Sequence, residues 1–251
     1  MPASPASRTV AVIPARHAST RFPGKPLALI AGRPMIEHVW NRCQEAKAFD
    51  EVVVATDDER IRATVEGFGG RAVMTSPDCA TGTDRVAEVA RGRPDVDVWV
   101  NVQGDEPLVD PAALRLLAGL FQDATVRMGT LVRPLEPDEA GSPNVVKAVL
   151  ALNGDALYFS RSLVPFVREP GTPVKRWGHI GLYGYRRDVL LSLAGLASTP
   201  LEEAEKLEQL RALEHGISIR CAQVNWRTVA VDVPEDVAKV EAVMRERGRQ
   251  P

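Results

Sequence analysis

Cysteine is scarce: Cys43, Cys79 and Cys221 are an odd count with no metal-ligand spacing, which excludes a disulfide scaffold and fits small buried hydrophobes in a reducing compartment. His17, His38, His179 and His215 show no paired spacing for zinc. No apolar run approaches the roughly 20 residues that cross a bilayer, so no membrane partner is expected. Residues 1–7 lack the apolar core of a signal peptide. They are expected to be a frayed tail without function, on a cytoplasmic protein. Net charge is only −2, which argues against a nucleic-acid partner. The G-x-G-x-x-G dinucleotide fingerprint is missing. One absence is positional: no Asp or Glu precedes Glu37, yet that stretch holds Arg8, Arg16, Arg21, Lys25 and Arg33. A basic segment in a mildly acidic chain points to a small anionic ligand.

What is present reads as an ordinary globular chain of 251 residues, 45% hydrophobic and 25% charged. That length suits one large α/β domain, or one domain with a subdomain. Short β-branched runs at 9–14, 51–55 and 96–102 read as strands buried on both faces, and 71–74 as a shorter one. Helical patterns lie between them, from Pro34, around Ile61, Val65 and Phe68, over 83–90, and over 111–121. Strands alternating with helices imply right-handed βαβ units and a mostly parallel sheet covered by helices. After about Arg127 the rhythm changes. A hairpin is expected over 145–159 with Asn153-Gly154 as its turn, followed by a strand over 180–186. A single leucine-striped helix should run from Leu201 to Leu213 and stop at Gly216. Late strands are expected over 219–223 and 228–231, with a last helix from Pro234 to about Arg247.

Ligands of open α/β sheets bind beyond the carboxyl ends of the strands, and three polar segments stand there. Residues 14–27 carry Arg16, Arg21 and Lys25 on a loop of small residues, suited to a polyphosphate. It is not a Walker A loop, because Ser19 replaces the first Gly and Pro26 follows Lys25. A merely solvated basic loop is the competing interpretation, and placement after the first buried strand outweighs it. Asn101-Val102-Gln103-Gly104-Asp105-Glu106-Pro107 follows the strongest strand. Asp105 there could hold Mg²⁺ or simply order the turn. Asp232 is its natural partner, or a helix cap. Ala80-Thr81-Gly82-Thr83-Asp84-Arg85 could offer N–H groups and an Arg to a ligand, or be an ordinary capped helix start.

These three segments resemble the 3-deoxy-manno-octulosonate (Kdo) cytidylyltransferase family. The resemblance continues through Tyr158-Phe159-Ser160-Arg161, residues 179–186, Pro200-Leu201-Glu202, Glu208-Gln209-Leu210-Arg211 and Val231-Asp232-Val233-Pro234-Glu235-Asp236. It spans about Val10 to Val243, in order; the first loop is shared more loosely with sialic acid cytidylyltransferases. One departure is Val233, where the family usually has Thr.

The resemblance implies an α/β fold like that of nucleotide-diphospho-sugar transferases, with a mostly parallel central sheet flanked by helices and a smaller antiparallel insertion. Residues 8–135 and 217–247 would form the nucleotide-binding core, and 136–216 an inserted subdomain for sugar binding and dimerisation. The implied activity joins CTP and Kdo to give CMP-Kdo and pyrophosphate for lipopolysaccharide biosynthesis, with Mg²⁺ as cofactor and a homodimer as the assembly. Arg16, Lys25, Asp105 and Asp232 would be catalytic. Arg16, Arg21, Lys25, Gly82, Thr83 and Arg85 would bind the nucleotide. Gln103, Arg161, His179, Tyr183, Glu208 and Gln209 would bind the sugar, and Asp105 and Asp232 the metal. The nearest rival is the same chemistry on another acidic sugar. A glycosyltransferase is disfavoured because Gly104-Asp105-Glu106-Pro107 stands where such enzymes commonly carry Asp-x-Asp, and a non-catalytic sensor because every proposed catalytic position is occupied.

Overall fold

The computed structural model describes residues 8–169, 171–227 and 229–247; the expected frayed tail, residues 1–7, lies outside them. The described residues divide into two compact units, one of residues 8–115 and 229–247, the other of residues 116–169 and 171–227.

The first unit is a parallel sheet built from the runs anticipated above. Strand β1 (Thr9–Ala15) pairs on one side with β4 (Glu51–Thr56) and on the other with β6 (Val98–Asn101), and β5 (Arg71–Met74) adds to β4. Val10, Val12, Ile13, Val54, Val98 and Val100 are fully buried, as strands covered on both faces require. Between β1 and β4 lie a two-residue hairpin, β2 (Leu29–Ile30) and β3 (Arg33–Pro34), and helix α1 (Met35–Ala46). Helix α2 (Glu59–Gly67) starts at Asp58, whose carboxylate accepts from the Arg60 N–H. Helices α3 (Gly82–Arg91) and α4 (Pro111–Gly119) follow β5 and β6, and the division between the units falls within α4.

The second unit concentrates the antiparallel pairing. Strand β7 (Met128–Pro134) lies antiparallel to β10 (Trp177–Arg186), which also pairs with β8 (Lys147–Leu150); β8 and β9 (Ala156–Ser160) form the expected hairpin. Helices α5 (Arg187–Leu193), α6 (Pro200–Glu205) and α7 (Gln209–Glu214) precede β11 (Ile219–Gln223), which is parallel to β7. Since β7 and β11 pair with each other and β7 with β10, this unit is longer than the insertion expected over 136–216.

Four readings are corrected. Strand β7 and helix α5 were not anticipated; β7 carries Gly129 and Arg133, and Arg133 is buried only because Glu139 receives it through two hydrogen bonds of 2.6 and 2.7 Å. The leucine-striped helix is two helices, broken at Lys206 in the left-handed region (φ 52°). Its end at Gly216 stands. Residues 229–231 form no strand, and Thr228 lies outside the described residues. The last helix, α8 (Asp236–Arg247), begins two residues after Pro234.

Candidate active site

The first loop, the Gln103–Asp105 turn, the start of α3 and Asp232 enclose a cavity of about 290 Å³ within the first unit. Two glycines bring its walls together. A Cβ at Gly104 would stand 2.8 Å from the Pro14 carbonyl oxygen, and one at Gly82 would stand 3.2 Å from the Pro14 ring. At Gly104 the backbone therefore approaches as only glycine allows, and at Gly82 the fit is tight.

Lys25 organises the charges. Its Nζ donates to Asp105 Oδ2 at 2.7 Å and to the Val231 carbonyl at 3.0 Å, and lies 3.9 Å from Asp232 Oδ1. Arg21 donates to the same Asp232 oxygen at 3.0 Å. The Val231 N–H bonds the Asp105 carbonyl at 2.9 Å, tying the two acidic segments together. Asp236, the first residue of α8, reaches back: its carboxylate accepts from the N–H groups of Asp232 and Val233 at 3.0 and 3.1 Å and fixes the main chain that carries Asp232. The Asp232 carboxylate is thereby left to face the cations. Arg16 also lines the cavity and is exposed, and Gln103 lies on its wall.

At α3 both anticipated features coexist. Thr81 and Asp84 make a reciprocal capping box at 3.1 and 3.0 Å, while Gly82 remains on the cavity wall and Thr83 is buried. Arg85 is buried too, with its guanidinium on Asp57 Oδ2 at 3.0 Å and on the Thr75 hydroxyl. Asp57 escaped the sequence reading, although its position just beyond β4 is the same strand-end signal. Glu106 was also passed over. Burial, and then the neighbouring Asp105, push its carboxyl up to about 8, and its Oε2 has no partner among the described residues.

The second unit gathers a different set. His179 packs against Phe159 with ring centroids 4.9 Å apart and against Tyr183 at 5.4 Å. The Thr130 hydroxyl lies 2.8 Å from the Leu182 carbonyl and 3.0 Å from His179 Nε2. With its proton directed to that carbonyl, Thr130 accepts from the ring, which assigns the imidazole proton to Nε2. Burial of the ring pushes the imidazole pKa down to about 3. Burial, then Tyr185 and Glu208, hold the Tyr183 hydroxyl well above its ordinary range. Gln209 is buried, and its Nε2 finds no partner among the described residues. Arg161 directs its guanidinium to main-chain carbonyls: Glu205 at 2.7 Å, Pro143 at 2.9 Å and Lys206 at 3.3 Å.

The cytidylyltransferase family profile matches residues 10–219. A 3-deoxy-manno-octulosonate cytidylyltransferase of Myxococcus xanthus is 86% identical, over 96% of this chain and 98% of that protein. The chain belongs to the 3-deoxy-manno-octulosonate cytidylyltransferase family. A Geobacter metallireducens member is 51% identical over 93% of this chain and 96% of its own length. Among solved structures, a CMP:2-keto-3-deoxy-manno-octonic acid synthetase complexed with CTP superposes with a TM-score of 0.91 at 43% identity, covering 96% of this chain and all of that one. A glucose-1-phosphate thymidylyltransferase from Bacillus anthracis shares the fold alone, with a TM-score of 0.68 at 14% identity, over 95% of this chain and 96% of its own. The fold is nucleotidyltransferase-like α/β, as the family resemblance implied, and the strand pattern had indicated its mostly parallel sheet.

Proposed function

We propose that the protein transfers the CMP moiety of CTP to 3-deoxy-D-manno-octulosonate, releasing pyrophosphate and supplying CMP-Kdo for lipopolysaccharide biosynthesis. The observation that carries this reading is the meeting of Lys25 and Arg21 with Asp105 and Asp232 on one cavity. Cations on a loop of close-packed backbone suit a triphosphate, and two carboxylates beside them suit a hard divalent cation that takes oxygen ligands.

In this reading Arg16, Arg21 and Lys25 hold the CTP phosphates, and Gly82, Thr83 and Arg85 the rest of the nucleotide. Gln103, His179, Tyr183, Glu208 and Gln209 bind the sugar acid. Asp105 and Asp232 would hold Mg²⁺, whose chemistry there is polarisation of the α-phosphate. The anomeric hydroxyl of the sugar gives up its proton to water and its oxygen bonds to the α-phosphorus as the bond to pyrophosphate breaks on the opposite side, so positioning supplies much of the acceleration. Lys25 and Arg16 stabilise the charge on the departing pyrophosphate. The neutral, Nε2-protonated His179 would donate a hydrogen bond once Thr130 yields, or accept one at Nδ1, and either suits a polyhydroxylated ligand.

Residues 8–135 with 217–247 supply the nucleotide side in this reading, and 136–216 the sugar side and a homodimer contact in a cytoplasmic enzyme. The exposed side chains of Leu152, Leu157, Leu163 and Phe166 support that contact. The test is pyrophosphate release from CTP and Mg²⁺ with Kdo and sialic acid supplied in parallel. Release that depends on Kdo is expected; release with sialic acid alone would overturn the substrate, and silence with both would overturn the activity.

A further inference from the structure

Three segments of the second unit converge on Lys147, Glu205 and Arg161, of which only Arg161 entered a reading above, as an expected sugar ligand whose guanidinium the structure instead places on main-chain carbonyls. Lys147, at the start of β8, is fully buried, and its Nζ donates to the Ser142 carbonyl at 2.6 Å and the Arg161 carbonyl at 2.9 Å. Glu205, at the end of α6, accepts from the Ser160 hydroxyl at 2.6 Å and the Arg161 N–H at 2.9 Å. Arg161 closes the set through its three carbonyl acceptors, two of which, those of Glu205 and Lys206, belong to the break between α6 and α7. A buried ammonium is retained only where its donors are satisfied, and here they are spent on fixing main chain.

That break carries Glu208 and Gln209 into place. Lys206 adopts the left-handed conformation that ends α6, Leu207 is buried, and Glu208 is the cap of α7. The unpartnered, buried Nε2 of Gln209 is an amide donor waiting for an acceptor. The opposite end of the set leads to the same place, since Phe159, which packs on His179, immediately precedes Ser160 and Arg161. Two walls of the proposed sugar site are thus anchored on one cluster.

We propose that Lys147, Glu205 and Arg161 form a buried positioning cluster that sets affinity for the acidic sugar by fixing the turn bearing Glu208 and Gln209. This rests on the reading of Glu208 and Gln209 as sugar-binding residues. All three act through main chain rather than through the substrate. Side chains that must be held to a fraction of an ångström need such a supporting shell.

The experiment measures steady-state pyrophosphate release and thermal stability for Lys147→Met, which keeps the volume of the stem and removes the ammonium. The expected result is a rise of about tenfold or more in KM for the sugar, with KM for CTP moving less than about threefold. Glu205→Gln, nearly isosteric, replaces it if Lys147→Met does not fold, and should raise the same constant in the same direction. Lys147→Arg should recover part of the loss. Unchanged sugar KM, or sugar and CTP constants rising together in step with lost thermal stability, would overturn the proposal. Glu208→Gln and Gln209→Ala separate the two possible failures. If they raise the sugar KM and the cluster variants do not, the positioning role alone is wrong. If they too leave it unchanged, the sugar-site reading has failed.

Discussion

In the first unit the converging side chains are ionic and reach water: Lys25 is 16% exposed, Asp105 31% and Asp232 50%. In the second, His179 and Tyr183 are uncharged, and their partners are aromatic rings and, for His179, the Thr130 hydroxyl. Under the proposed function, the contrast matches what each ligand class demands. A polyphosphate brings several charges and needs mobile, hydrated counter-charges that can be re-paired on binding. A sugar is recognised by directional hydrogen bonds, which need groups fixed in orientation and spared competition from water. Buried charge in the second unit, on Lys147, Arg133 and Glu202, is satisfied by partners within the protein.

The comparison can be broken most directly at Asp105. Asp105→Ala should lower kcat by about a thousandfold with little change in thermal stability, because Lys25 keeps the Val231 carbonyl at 3.0 Å and the Asp232 carboxylate at 3.9 Å as partners. An unaltered rate would remove Asp105 from the chemistry. Next in size, Lys25→Ala should raise KM for CTP by about ten- to a hundredfold while leaving KM for the sugar nearly constant, measured by varying each substrate in turn. Equal effects on both constants would erase the division of labour between the units.

A smaller effect separates the units by pH. The folded-state pKa of His179 is depressed to about 3, against an ordinary 6.5, so between those values the unfolded chain binds the extra proton. Its contribution is complete above pH 6.5 and is lost as pH falls toward 3. His179→Gln should flatten the stability–pH curve over that window in chemical denaturation, and an unflattened curve would contradict the packed, neutral imidazole. Glu106 behaves oppositely. Its carboxyl rises from an ordinary 4.5 to about 8, so the folded state holds the proton and stability declines as pH climbs from 4.5 to 8. Glu106→Gln, compared in chelator, should gain on the parent protein across that range, the smallest of the four effects. A constant difference between the two proteins would mean that Glu106 is already ionised.

Much of this was legible from local pattern. Strands β1, β4 and β6 announce themselves as β-branched runs because both of their faces are buried, and the 14–27 loop stands out by charge alone. Strand β7 was illegible because its pattern is broken by Arg133, whose burial depends on Glu139, a partner that periodicity does not reveal. The division of the leucine stripe at Lys206 was hidden for a similar reason: hydrophobic spacing continues across a break that the backbone makes in one residue. Asp57 and Glu106 carried no motif weight, and their character comes from Arg85 and from burial.

By itself, then, the sequence determined the alternation of strands and helices, the family, and the three strand-end segments, since each is encoded in residues close along the chain. Which way each ambiguous acid points was decided only by tertiary structure. Asp232 was equally a helix cap until Arg21 and Lys25 came to its carboxylate, and Asp105 equally a turn former until Lys25, eighty positions away in the chain, reached it at 2.7 Å. Hydrogen bonds and ion pairs act over a few ångströms of space, whereas sequence spacing resolves geometry only within a turn or a strand. The partners that turn a carboxylate into a site residue are therefore supplied by the fold.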